Sequence, residues 1–369
     1  MPAWMLYGFA VFSMFFGSGN LVFPMSIGVG CANPWISILG LSFSAILVPM
    51  FGLIGVVLSR ESLEHYLKPL GQKTAFALIA MMLLLLGPLG VLPRSLIVAS
   101  GGVSLLFAQI PTSLIALMMV FLGYFLALSK NMVRLIGQYF TPLILLGILG
   151  IVLGALFLPL QINHAQQGSF WDALKTGYQT MDLIAALVFA RALSSAFLKQ
   201  FPKSARVEMM RAIVFGFFCL LCVYAFMVLV SSHLSDQLQF VAPEKRIVFI
   251  ADLVMGDYAR IISCFVIAAA CMTTFAVLLR EFIQFFAPFF PNWSLSQLAF
   301  VVCVLSYMGS FIGFDQLASA IGLILQLAYP ALIVFILLKF LRLKQHWIYA
   351  WVFYGCIFFN VGLELVKLN

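Results

Sequence analysis

The sequence predicts an all-α polytopic membrane protein of about eleven transmembrane helices, and three observations carry that expectation. Hydrophobic residues make up 64% of the chain and charged residues 9%, so a water-soluble fold would lack polar surface to cover itself, whereas a bilayer asks for none. The apolar residues are gathered into blocks near the length of about 20 residues that a helix needs to cross the hydrocarbon core. The blocks also lack the apolar–polar alternation of outer-membrane barrel strands, which excludes that architecture.

Taken in order, the blocks run Trp4 to Val29, Trp35 to Ser59, Thr74 to Phe107, Ser113 to Ser129, Met132 to Leu158, Phe170 to Leu198, Val207 to Ser232, Ile250 to Leu279, Ser296 to Phe314, Gln316 to Leu341 and Trp347 to Val366. The first contains "FFGSGNLVFP", where Gly17, Gly19 and Pro24 weaken a helix interior and free backbone groups that hydrocarbon cannot satisfy. The third carries "GPLGVLPRS" with Arg94 deep in the block. The fourth is plain hydrocarbon, while the fifth opens on "QYFTPLILLGIL" from Gln138, which is echoed by "QLAYPALIVFIL" from Gln326 in the tenth. The sixth block is interrupted by "GYQTMDLIAA", the seventh holds a CxxC at Cys219 and Cys222, and the eighth carries "ACMTTF". The ninth and eleventh add no polar motif.

Each five-block half therefore opens on an interrupted helix, and five is odd, so the halves would lie in the membrane with opposite orientation. Together with the echo between the fifth and tenth blocks this predicts an inverted repeat. One domain spans 1–369, with a first five-helix repeat at 4–158, a second at 170–341 and an extra helix at 342–369.

The net charge of +8 comes from Lys and Arg scattered among short loops, without the basic stripe of a nucleic-acid binder. Most of these residues fall on one side if the amino terminus is cytoplasmic, leaving Lys175, Lys245, Arg246 and Lys367 outside, with Arg260 near that side. A multi-pass protein of the cell (inner) membrane is expected. The first block is too long for a signal peptide and has no basic leader, so it should remain in the mature chain. Six of the seven cysteines lie inside apolar blocks, and only Cys31 is in a short loop. This is not a disulfide framework. The four histidines, His65, His164, His233 and His346, are assigned to loops.

"GFAVFSMFFGSGNLVFP", "GPLGVLPRS", "GYQTMDLIAALVF", "ACMTTF" and "AYPALIVFILL" resemble, in that order along most of the chain, motifs of the branched-chain amino acid:cation symporters. The first is also similar to the opening helix of the neurotransmitter:sodium symporters. The chain departs from the pattern at Met25, where a second proline is common, and in having eleven helices where twelve are usual. The resemblance implies a leucine-transporter-like 5+5 fold with discontinuous helices 1 and 6, moving leucine, isoleucine and valine with sodium. It places the substrate carboxylate at the N–H groups of Ser18 and Gly19, with Gly17 allowing close approach and Asn20 adding a side-chain carbonyl. The ammonium would meet carbonyls at Phe15 and around Tyr178, Thr180, Met181 and Asp182. Sodium would sit among Ser13, Phe16, Ala270, Thr273 and Thr274.

An acid inside a span is costly and so a functional candidate, but Asp182 could equally cap the helix that follows it. Arg94 could line the pathway, gate it, or snorkel. Thr273 and Thr274 could instead bond back to their own helix. No Walker motif, H-E-x-x-H or G-x-S-x-G occurs, which argues against an ATP-driven pump or an intramembrane enzyme. The expected activity is sodium-coupled symport of branched-chain amino acids. The rivals are proton coupling through Asp182 and, further off, a channel or an enzyme. No organic cofactor, nucleic acid or obligate protein partner is expected, only a small-molecule substrate, Na+ and the bilayer.

Overall fold

The computed structural model describes residues 2–59, 61–107, 109–129, 140–155, 168–200, 205–341 and 345–368. Among these the chain is helical, with a single isolated bridge pairing Cys31 and Gly168.

The first block divides into α1 (Ala3–Phe15) and α2 (Ser18–Gly30), which meet at a bend of 72°. Between them Phe16 and Gly17 leave helical geometry, with Gly17 fully extended at φ −124° and ψ −160°. Pro24 lies inside α2 without ending it. Lacking an N–H, it deprives the Asn20 carbonyl of its i+4 donor.

The second block begins at an Asn33 cap, whose Oδ1 accepts from the Trp35 and Ile36 amides, and runs as α3 (Pro34–Ser42), a π turn (Phe43–Leu47) and α4 (Val48–Ser59). Pro49 cannot donate to the Ala45 carbonyl, which loosens the ladder where the π turn sits. A short α5 (Leu63–Leu67) leads to α6 (Gln72–Leu86) and α7 (Val91–Ser104). The third apolar block thus holds two helices within one candidate span, Gln72–Ser104. The chain turns at Gly87–Gly90, because Pro88 offers no donor and the two glycines tolerate the non-helical dihedrals of the turn.

α8 (Thr112–Leu128) and α9 (Thr141–Ala155) follow. Gln138, which opens the echo in the fifth block, lies outside the described residues, as does His164. α10 (Phe170–Tyr178) starts at a capping box of Ser169 and Asp172, and α11 (Asp182–Gln200) completes the interrupted sixth block. Next come α12 (Ala205–His233), a four-residue α13 (Ser235–Leu238) and α14 (Arg246–Met255). Gly256, at φ +65°, turns the chain into α15 (Asp257–Phe286). The eighth block, expected from Ile250, is thereby corrected: its first residues belong to α14, and one glycine that a hydropathy window passes over separates the two helices. α16 (Leu295–Ser310), α17 (Phe314–Phe340) and α18 (His346–Leu368) finish the chain. The histidines are also corrected, since His65 lies within α5 and His233 and His346 stand at helix ends.

Five apolar segments among the described residues, Pro34–Ser59, Gln72–Ser104, Arg206–His233, Arg260–Phe289 and Phe314–Phe340, are long enough to cross a bilayer. The bent α1–α2 pair makes a sixth if taken as one span, and four further apolar helices are shorter.

The packing is reciprocal. α1 and α2 both lie on α12, while α10 lies on α3 and α11 on α4; α7 packs on α15, α8 on α15 and α16 on α7. In lipid no hydrophobic force drives helices together, so close approach depends on small residues. At Gly28 a Cβ would strike Ser231 Oγ and stand 2.5 Å from the Val228 carbonyl oxygen of α12. Gly28→Val should therefore destabilise the detergent-solubilised protein by about 1 to 3 kcal/mol, seen as a lower melting temperature. Gly355→Ala, where a Cβ meets nothing within 4 Å, should leave melting unchanged. Equal melting of the two variants would mean that α2 and α12 are not in contact at this point.

Candidate functional site

Three breaks converge. At the first, the Leu21 N–H bonds back to the Gly17 carbonyl at 3.1 Å. The amides of Ser18, Gly19 and Asn20, in the first turn of α2, thus have no acceptor within the helix and present its positive end. At the second, between α10 and α11, Thr180 folds back on the Gly177 carbonyl through its N–H and its Oγ1 (2.8 Å). Met181 has φ +61°, the one positive value at a non-glycine position among the described residues, and its side chain is fully buried. Such a conformation is strained and is held only by surrounding packing. Here it turns the chain so that Asp182 begins α11. At the third, Arg94 follows the Gly87–Gly90 turn and reaches the second break, donating Nη1–H to the Gln179 carbonyl at 3.1 Å.

These breaks surround a cavity of about 20 Å³, enough for about one water. Its polar lining includes Ser18, Asn20, Arg94, Thr180, Asp182 and Thr274; Phe15, Leu86, Phe189 and Leu278 are among the apolar walls. Gly17 and Gly19 also line it. A Cβ on Gly19 would stand 3.4 Å from the Thr180 backbone, so the first and sixth blocks touch across the cavity.

Asp182 is buried, and its carboxylate accepts from Asn20 Nδ2 (2.9 and 3.0 Å) and from the Tyr224 hydroxyl (3.0 Å). Asn20 Nδ2 also contacts the Tyr224 oxygen. Asp182 thus joins α11 to α2 and α12. Asn20, expected to offer a carbonyl, instead turns its amide nitrogen to this acid; the carboxylate is an acceptor only, so the amide must meet it donor-first. Tyr224 was missed by sequence reasoning, because one tyrosine in an apolar block carries no local signal.

Arg94 is 1% exposed. Besides the Gln179 carbonyl, its guanidinium stands 5.5 Å from the Phe23 ring centroid, and Nε has no hydrogen-bond partner. The ion pairs formed among the described residues are Arg211–Glu208 and Arg260–Asp252. Arg94 and Asp182 therefore line one cavity without pairing with each other.

Next to the cavity, Thr274 Oγ1 of α15 donates to the Phe16 carbonyl at 3.4 Å, crossing to the end of α1. Thr273 Oγ1 bonds back to Ala270 O at 2.9 Å. Ser13 Oγ is buried without a partner. Among these, Thr274 Oγ1 and the Phe16 carbonyl bring neutral oxygens of two helices together, the kind of donor that suits a hard cation. Tyr178 and Met181 stand apart from the lining, with Tyr178 packed on the Tyr329 ring at 4.8 Å. No group of three or more His, Cys, Asp or Glu gathers among the described residues.

The sequence profile of the family described as "Branched-chain amino acid transport protein" matches residues 2–367. A Staphylococcus aureus (strain MRSA252) protein named "Putative branched-chain amino acid carrier protein" is 26% identical over 373 residues, 92% of this chain and 83% of that one. Among solved structures, a Na+-coupled sialic acid symporter in a substrate-bound outward-open state aligns with TM-score 0.60 at 13% identity, covering 98% of this chain and 88% of the other. An Eremococcus coleocola manganese transporter in complex with an aromatic bis-isothiourea substituted compound aligns with TM-score 0.55 at 14% identity, covering 97% and 87%. At such identities these two likenesses concern the fold alone.

Proposed function

The chain belongs to the branched-chain amino acid transport protein family, a family of transporters and not of enzymes, and on that premise we propose that it moves leucine, isoleucine and valine into the cell with a sodium ion by alternating access. The observation that carries this reading is the meeting of two interrupted helices over one buried cavity, whose lining combines the positive end of α2 with the Asp182 carboxylate. A zwitterion is complementary to that arrangement. Sodium is assigned to the oxygens of Ser13, Phe16, Ala270, Thr273 and Thr274, on the Thr274–Phe16 contact between the two helices. The carboxylate is assigned to Gly17, Ser18 and Gly19, and the ammonium to Phe15, Asn20, Thr180 and Asp182, with Tyr178 and Met181 shaping the break.

The reciprocal packing supports the 5+5 inverted arrangement over 4–158 and 170–341; the eleven-helix count rests on the apolar blocks, and the cytoplasmic amino terminus on the distribution of Lys and Arg. Exchanging the halves turns the contact of helix 1 with helix 7 into that of helix 6 with helix 2, and the contact of helix 4 with helix 8 into that of helix 9 with helix 3. Both members of each pair occur. The cavity is far smaller than leucine, so the site must widen before loading.

A zwitterion with one sodium carries a single net charge. A potential of roughly 100 mV then contributes about 2.3 kcal/mol, or about fifty-fold accumulation before any sodium gradient. One methylene in the apolar part discriminates by only about 1 to 3 kcal/mol, so the three amino acids should all be accepted. The deciding assay is labelled leucine uptake in proteoliposomes with sodium replaced by choline at fixed pH; sodium-independent uptake would reject the coupling. The proton reading rests on Asp182, buried with no cationic partner among the described residues. An imposed pH gradient that drives uptake without sodium would select it. Thr274→Ala should raise the sodium concentration for half-maximal uptake about tenfold, with the order of preference among the three amino acids unchanged. An unaltered sodium curve would remove Thr274 from the ion site.

A further inference from the structure

Arg94 is a buried cation with no counter-ion among the described residues. An unpaired charge held away from water is costly, and a partner that arrives during the working cycle would offset that cost. Gln179 O and the Phe23 ring satisfy part of the guanidinium, but Nε has no partner, and no carboxylate pairs with Arg94 among the described residues. The side chain lines the same cavity as the unbonded first-turn amides of α2. Two independent features thus favour negative charge in that space, a helix N-terminus and a planar fork of N–H donors that matches a carboxylate. The same cavity also contains Asp182, whose hydrogen-bond donors are neutral side chains.

We propose that Arg94 binds the α-carboxylate of the substrate directly, with Asp182 of the same cavity at its ammonium, so that the site selects free α-amino acids and rejects analogues lacking the carboxylate. The inference rests on the transport reading and adds a charged anchor to it. The unpaired Nε is the donor that the substrate would satisfy, and the Nη1 bond to Gln179 O ties the anchor to the break at α11. Binding of the carboxylate is thereby linked mechanically to the segment that positions Asp182.

The full chain is reconstituted, and inhibition of labelled leucine uptake is measured with leucine, leucinol, which lacks the carboxylate, and 4-methylpentanoate, which lacks the ammonium. Ligand-induced thermal stabilisation of the purified protein by leucine and by leucinol is measured in parallel, so that a variant unable to transport still reports binding. Wild type should prefer leucine over leucinol by about 100-fold. Arg94→Gln should weaken leucine by roughly 50-fold and leave leucinol nearly unchanged, so the preference collapses, while Arg94→Lys should fall between. Equal weakening of leucine and leucinol, or an intact preference in Arg94→Gln, overturns the proposal. So does uptake that needs chloride in wild type and loses that need in Arg94→Gln, since Arg94 would then hold an inorganic anion. Wild-type protein that neither binds nor transports leucine overturns the transport reading itself.

Discussion

Asp182→Ala is expected to lower leucine uptake at least about 100-fold while the protein still reaches the membrane. Truncation removes the acceptor shared by Asn20 Nδ2 and the Tyr224 hydroxyl. Each buried donor left without an acceptor costs about 1 to 3 kcal/mol, and in lipid no water stands by to replace it. The loss falls on the junction of α2, α11 and α12, so melting temperature should drop together with uptake. Asp182→Asn separates the two effects. Its carbonyl oxygen can accept from both donors at nearly the same volume, so stability should be largely retained. The negative charge facing the ammonium is gone, and uptake should remain about 100-fold down because a charge-assisted contact has become a neutral one. Comparison of uptake and melting across the two variants decides the role. Normal transport by Asp182→Asn would make the residue a structural tie at the break, with no part in recognition.

The breaks at Gly17 and at Thr180–Met181 were legible because polar and helix-weakening residues stand out against hydrocarbon, which cannot satisfy freed backbone groups. The Gly87–Gly90 turn uses the same residue types, yet "GPLG" lies in a block so apolar that length alone suggested one helix. Gly256 was hidden for a related reason, since one positive-φ residue moves a hydropathy average very little. Side-chain partners were harder still. Tyr224 is 204 positions from Asn20 and 42 from Asp182, a separation that no local pattern spans. Thr273 and Thr274 are neighbours of one residue type, and the 100° step between them along α15 sends one hydroxyl back to Ala270 and the other across to Phe16. Sequence could nominate both threonines. Only the rotation of α15 about its axis separates their roles.

That rotation sets the second large effect, expected for Gly17→Ala. The extended backbone at Gly17 is open to any residue, so the restriction is one of space: a Cβ would stand 2.8 Å from Thr274 Oγ1, 2.9 Å from its Cγ2 and 3.1 Å from its Cβ. Thr274 is β-branched and buried, with few rotamers to retreat into. The methyl should therefore push α15 from the α1–α2 junction, at a cost of about 1 to 3 kcal/mol, and break the 3.4 Å contact between Thr274 Oγ1 and the Phe16 carbonyl. Sodium activation should be lost along with much of the uptake. In a Thr274→Ala background the two nearest obstructing atoms are absent, so adding Gly17→Ala should cost about 1 to 2 kcal/mol less than it does in wild type. Stability would then be partly rescued, but sodium activation would not, because the oxygen that crosses to Phe16 is missing from the double variant. A melting-temperature cycle over the four proteins, run beside sodium titrations of uptake, tests both statements. Strictly additive melting shifts would mean that Gly17 and Thr274 do not touch, and the ion site could not then be built from α1 and α15 at this level.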